Sequence, residues 1–267
     1  MEKRLAVLGA GFMGGALIGG IVKNNIIPAQ NIVAIDPVNP ASAGKLAEEY
    51  GVNVGEVPDV STCDIVVFAC KPQNFSDASA MYGEYFKNDT LYLSIMAGIT
   101  TEAIEKAVNA PVIRLMPNLA LSAGCSATAY CLGRLADETH AAVTEEIFAP
   151  TGIVRRVDEA LMSTVTAVSG SGPAYVFYLI EAMSAAAVRQ GMDRETADML
   201  AVQTLIGSVS LIHGAATDVR ELRARITSAK GTTEAAIRAM EEAGFFDVVE
   251  KGMQACKQRS DELSQLF

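Results

Sequence analysis

Two short stretches of this 267-residue chain carry residue types suited to holding anions. The first, Gly9-Ala10-Gly11-Phe12-Met13-Gly14, follows an apolar run and leads into a helical one. In a GxGxxG spacing the first glycine permits a tight turn, and the second lets the backbone approach a pyrophosphate. The third lets helix and strand pack closely. The helix N-terminus adds free N–H groups and a partial positive charge. The second stretch, Thr227-Ser228-Ala229-Lys230-Gly231-Thr232-Thr233, runs into "EAAIRAMEE". Thr232 or Thr233 is expected to cap a helix starting near Glu234, where backbone N–H groups can receive a carboxylate.

Other residues fall where such a fold places ligands. Asp36 ends the second apolar run, the position from which a carboxylate bonds the adenosine ribose hydroxyls and repels a 2′-phosphate. The alternative is that Asp36-Pro37 simply forms a turn. In Ala69-Cys70-Lys71-Pro72, Lys71 is either a cofactor or substrate contact or a solvated loop lysine. Ala97 and Gly98 close a further strand, where small residues leave room for a nicotinamide ring.

These residues need a scaffold, and the apolar pattern supplies one. "RLAVLGA" (4–10), "NIVAID" (31–36), "DIVVFAC" (64–70), "TLYLSIM" (90–96) and "APVIRLMPN" (110–118) read as strands, with helices at 12–24 and 40–51. Strands apolar on both faces suit a parallel sheet covered on both sides. The fold class is therefore α/β, an N-terminal Rossmann-type doubly wound sheet followed by an all-α dimerisation domain. The boundary is placed between 1–162, the dinucleotide-binding domain, and 163–267, the helical domain. Pro173 opens the first long helix, which stops at Gly191, and Asp193 caps the next, running to Gly214. Helices over 218–226, 233–244 and 246–267 follow. Their wide Ala-, Met-, Leu- and Val-rich faces make a thin core alone and point to dimerisation.

Bulk composition narrows the function. A formal charge of −10 argues against nucleic-acid binding. Five cysteines without a CxxC pair, and only His140 and His213, argue against zinc and for free thiols in a cytoplasmic protein. The uncharged segment 5–22 is too glycine-rich for a signal peptide. That over 161–180 is cut by "SGSGP", so no membrane association is expected.

The order GAGFMG, "ACKPQ", "MAGIT", "VIRLMPN", "VSGSGPAYVF" and "LRARITSAKGTT" resembles the pyrroline-5-carboxylate reductase family over essentially the full length. The resemblance implies NADH- or NADPH-dependent reduction of a cyclic imine to proline, the last step of proline biosynthesis. It also implies a homodimer interlaced through the helical domain, commonly assembled further into decamers. The substrate site would then lie between one subunit's cofactor domain and the other's helical domain. Carried onto this sequence, it places Ser228, Gly231 and Thr232 near the substrate carboxylate and Thr233 beside the imine nitrogen. Asn118, closing RLMPN, joins the substrate residues.

The chain departs from the family pattern in three places. Ala229-Lys230 stands where proline-glycine is usual, and Lys230 either adds a cation near the carboxylate or points to solvent. Leu119-Ala120 replaces threonine-proline. Glu56 falls where an asparagine often holds the ribose, and with Asp36 it makes an acidic pocket that tilts the expectation towards NADH. A β-hydroxyacid dehydrogenase would need a lysine base on its first long helix, and no lysine lies between Lys106 and Lys230. The remaining alternatives are a reductase of a related cyclic imine carboxylate and a non-catalytic nucleotide-binding relative.

Overall fold

The structure, a computed structural model, describes residues 1–213 and 218–265. Gly214, the expected end of the second long helix, and residues 266–267 lie outside them. The chain divides into two compact units, Met1–Pro173 with Ala255–Phe267, and Ala174–Gln254.

In the first unit the strands are β1 (Leu5–Leu8), β2 (Ile32–Ile35), β3 (Asn53–Val54), β4 (Ile65–Phe68), β5 (Leu91–Ser94), β6 (Val112–Met116), β7 (Ser126–Leu132) and β8 (Gly152–Arg156). Among the described residues these eight strands form one sheet, in the order β3-β2-β1-β4-β5-β6-β7-β8. Its helices are α1 (Phe12–Lys23), α2 (Pro40–Tyr50), α3 (Phe75–Tyr82), α4 (Thr101–Val108), α5 (Glu138–Phe148) and the short α6 (Met162–Val165).

Successive strand residues point to opposite faces, and both faces are covered. Leu5, Val7, Ile32, Ile65 and Ile113 join Leu17, Ile18 and Phe148 from α1 and α5. Ala6, Leu8, Val66 and Tyr92 join Phe75 and Tyr82 of α3 and Ile104 of α4 on the other side. Each fully buried aliphatic or aromatic side chain stabilises the fold by roughly 1.5–3 kcal/mol. This two-sided burial explains why strands such as β1 and β4 lack any polar alternation.

The five strands expected from the sequence are parallel to one another, but the sheet continues beyond β6 into two further strands and is not wholly parallel. β7 runs antiparallel to β6, and β8 returns parallel to β7. The link from Met116 to Ser126 is a short helical turn, Leu119–Ala123, ended by Gly124 at φ 71°. That is too short for the crossover a parallel neighbour requires. Helix α5 then supplies a crossover between β7 and β8.

The second unit is built from helices. α7 (Gly172–Arg189) enters it, followed by α8 (Arg194–His213), α9 (Val219–Arg225) and α10 (Thr232–Glu242), and α11 (Phe245–Ser264) leaves it. Gly191 at φ 101° ends the α7 segment, and Asp193 Oδ1 accepts the Thr196 N–H at 2.9 Å at the start of α8, the expected cap. Among the described residues no helix is long and apolar enough to cross a membrane.

Candidate active site

The strand order reverses at β1, flanked by β2 and β4, and the loops after these strands line a cleft of about 560 Å³. Ligands of open α/β sheets bind at such a switch point. Gly9, Gly11, Asp36, Ala69 and Lys71 all face this cleft.

Each glycine of the loop does a different job. Gly9 has φ 107°, and a Cβ there would come within 2.9 Å of the Ala69 carbonyl carbon and the Cys70 nitrogen. A Cβ on Gly14 would strike the Gly9 carbonyl oxygen, so this glycine lets α1 sit against β1. A Cβ on Gly11 would meet nothing within 4 Å. The space over Gly11 is open, which is what backbone approach by a phosphate requires. Gly11 also precedes α1 without any side-chain cap, with Phe12 75% exposed and Met13 half-buried behind it. The first turn of α1 therefore offers its N–H groups to a ligand. A dinucleotide pyrophosphate fits this cradle.

Asp36 forms the expected turn and makes a second bond that the sequence did not show. Its Oδ1 accepts the Asn39 N–H at 2.9 Å, forming the turn at Pro37. Its Oδ2 accepts the Ala10 N–H at 2.9 Å, tying the glycine loop to the end of β2. Each oxygen keeps a further lone pair for a ribose hydroxyl. Asp36 also borders a second cleft of about 510 Å³, which it shares with exposed Glu56. Exposed Lys71 precedes a short turn begun by Pro72. Beside Lys71, Cys70 is half-buried, and its desolvation pushes the thiol up to about 11 and keeps it protonated at neutral pH.

Three sequence motifs far apart in the chain come together at the C-terminal ends of β5 and β6. Ala97 packs against Met116, Cys131 and Met162. Asn118 is buried, donates from Nδ2 to the Ser169 carbonyl at 3.0 Å, and accepts the Ala120 N–H at 3.2 Å. Ser169 lies in a π-helical turn, Thr166–Gly170, that holds part of "VSGSGP". Such turns recur at functional sites. Ser171 Oγ lies 3.2 Å from Cys256 Sγ on α11.

Gly98 differs from expectation. At φ 81°, a Cβ there would lie 2.7 Å from Leu263 Cβ and 3.2 Å from the Ser260 carbonyl oxygen. The room left by the missing side chain is taken by α11, not held open for a ring.

In the second unit, the loop before α10 is a turn closed by the Gly231 N–H donating to the Ser228 carbonyl at 3.0 Å. Lys230 sits in it at φ 60°, a conformation that favours glycine. A Cβ on Gly231 would strike Ser228 Oγ. The expected threonine cap is not formed. Helix α10 begins at Thr232 with Gly231 as its N-cap, and no side chain caps it there. Instead Glu234 reaches back to accept the Lys230 N–H at 2.6 Å. Both threonines thus lie inside the first turn, Thr232 exposed and Thr233 half-buried, with their hydroxyls spared from capping.

The sequence reading passed over Arg114, Glu159 and Thr101. Arg114 is 2% exposed in the middle of β6, and its Nη1 lies 3.3 Å from Glu159 Oε1. An arginine inside an apolar strand was itself the signal, because a buried charge demands a partner.

Comparison with known proteins fits this geometry. Residues 159–263 match the family described as pyrroline-5-carboxylate reductase dimerisation. Residues 4–98 match the family described as NADP oxidoreductase, coenzyme F420-dependent. Pyrroline-5-carboxylate reductase of Pseudomonas aeruginosa is 36% identical, over 98% of this chain and 97% of its own length. The chain belongs to the pyrroline-5-carboxylate reductase family. A member from Methanosarcina acetivorans is 34% identical over 99% of both chains. Among solved structures, a Coxiella burnetii pyrroline-5-carboxylate reductase superposes with a TM-score of 0.89 at 28% identity, covering 99% of both chains. The Plasmodium falciparum pyrroline carboxylate reductase with NADP bound gives 0.88, also at 28%, over 98% of each chain. Across the family relationship the Rossmann-type sheet and the following helical region keep the same order.

Proposed function

We propose that the protein reduces L-1-pyrroline-5-carboxylate to L-proline, the last step of proline biosynthesis. The observation that carries this reading is the full-length kinship at 36% identity, joined to an open glycine loop at the sheet's switch point. A bound reduced nicotinamide supplies the hydride that C5 of the protonated ring imine accepts; the C=N bond becomes CH–NH without a strong general acid. The protein's task is alignment and exclusion of water.

Gly9, Ala10, Gly11, Phe12, Met13 and Gly14 hold the dinucleotide, with Asp36 and Glu56 at its ribose end. Ala69, Lys71, Pro72 and Ala97 form the remaining cofactor shell, to which Gly98, covered by α11, contributes backbone only. Two carboxylates around one ribose favour NADH over NADPH in this chain, although the Plasmodium relative was solved with NADP. Ser228, Lys230, Gly231, Thr232 and Asn118 hold the substrate carboxylate, and the Thr233 hydroxyl accepts a hydrogen bond from the imine N–H. The release of both threonines from capping supports that role. The exposed apolar faces of α7 and α8 support a homodimer through the helical domain, with decamers as a further stage. Five free cysteines are in keeping with a cytoplasmic setting.

Initial rates with five- and six-membered cyclic imines and both reduced nicotinamides test this reading. Oxidation of NADH that depends on pyrroline-5-carboxylate and outpaces NADPH is expected. NADPH as much the better donor would overturn the cofactor preference, and preference for a six-membered imine the substrate. Thr233→Ala should lower kcat by roughly 100-fold; full activity would remove the nitrogen contact.

A further inference from the structure

One carboxylate joins the three motif segments described above. Glu159 accepts the Thr101 N–H at 2.8 Å and the Thr101 hydroxyl at 2.6 Å, and pairs with Arg114 Nη1 at 3.3 Å. Thr101 starts α4, directly after the loop that carries Ala97 and Gly98. Arg114 stands two positions before Met116 on β6. Glu159 begins the turn leading through α6 to the π-helical segment with Ser169. Asn118 and Ser169 close the far side of the same arrangement.

Stability alone does not call for this ion pair. Arg114 is almost fully buried, and its Nε and Nη2 have no hydrogen-bond partner among the described residues. Well-packed apolar side chains commonly replace a buried pair without loss, whereas removing one partner leaves a costly unpaired charge. A loosely satisfied arginine at such a position fits a demand for registration of segments.

We propose that Glu159 is a positioning residue, acting with Arg114 and Thr101 to set the wall formed by 97–101, 114–118 and 159–171 against the reacting end of the cofactor. This rests on the reductase reading above. The glycine loop and Asp36 are outside the tie, so it governs alignment more than cofactor affinity.

Four variants test it, beside the wild-type protein. Glu159→Gln should lower kcat tenfold or more while the KM for NADH stays within about twofold. Thr101→Val removes only the hydroxyl donor and should lower kcat about threefold, and Thr101→Ser should restore it. The double variant Arg114→Met with Glu159→Leu should melt near wild type yet keep the low kcat, which a merely structural pair would not do. Hydrogen exchange supplies a readout that needs no turnover: Glu159→Gln should speed exchange in both 97–101 and 166–171. Wild-type kcat in the double variant, or unchanged protection in both segments, would overturn the tie. A wild-type protein inactive on pyrroline-5-carboxylate, with the exchange effect present, would instead fault the reductase reading.

Discussion

The two units handle apolar side chains in opposite ways. In the sheet unit Leu5, Ile18, Ile32, Ile65 and Phe68 are at most 1% exposed. Among the described residues of Ala174–Gln254, only Ser184, Ala197 and Ala201 are buried. There Tyr178 is 74% exposed, Leu211 65%, Met199 61% and Phe177 53%. The first unit closes its own core, and the second leaves most of its large apolar side chains uncovered. Apolar surface on that scale fits the dimer proposed above, and in such a dimer the stability of the second unit would be tied to protein concentration in a way the sheet is not.

The largest effect should come from breaking the unfinished half. Phe177→Asp should raise the dimer dissociation constant at least a thousandfold, about 4 kcal/mol, as read by sedimentation. The sheet unit should keep its far-ultraviolet signature; a dimer of ordinary affinity would show that α7 faces no partner. Next come two glycines that separate packing from binding within the closed half. Gly9→Val places side-chain atoms against Ala69 and Cys70, and should weaken NADH binding at least 100-fold, about 3 kcal/mol, with a lowered melting temperature. Gly11→Ala meets no protein atom, so melting should hold while NADH affinity falls tenfold or more. Equal loss of stability in the two would erase the distinction. The smallest effect lies in the substrate loop. Lys230→Gly should stabilise by about 0.5–1 kcal/mol, because a lysine at φ 60° is strained where glycine is not. A denaturant midpoint that falls would show that the lysine side chain offsets that strain.

What could be read from the sequence follows the same division. β1, β2, β4, β5 and β6 were legible because strands buried on both faces are continuous apolar runs. β3 has two residues, and β8, "GIVRR", lies at the sheet edge with its arginines exposed. Neither leaves such a run. β7 is rich in alanine, serine and threonine, and its antiparallel direction is set by loop length, not by composition. The glycine loop was legible because its geometry is local. The bond from Ala10 to Asp36, the filling of Gly98 by Leu263 and the tie at Glu159 join residues far apart in the chain, and no local pattern encodes them. At Thr232 and Thr233 two capping solutions competed, and Glu234, reaching back from three positions into the helix, displaced the threonine cap.

The packing of Leu263 on Gly98 also orders events during synthesis. At ordinary elongation rates the ribosome adds Leu263 on the order of ten seconds or more after Gly98, and the strands around the glycine loop have time to pair in that interval. A nascent chain can therefore present a formed nucleotide cradle while the loop beside Gly98 still waits for its cover. On the proposed reading, competence to hold a dinucleotide would precede competence to use it, and a nucleotide bound early would steady a half-made protein until the closing helix arrives.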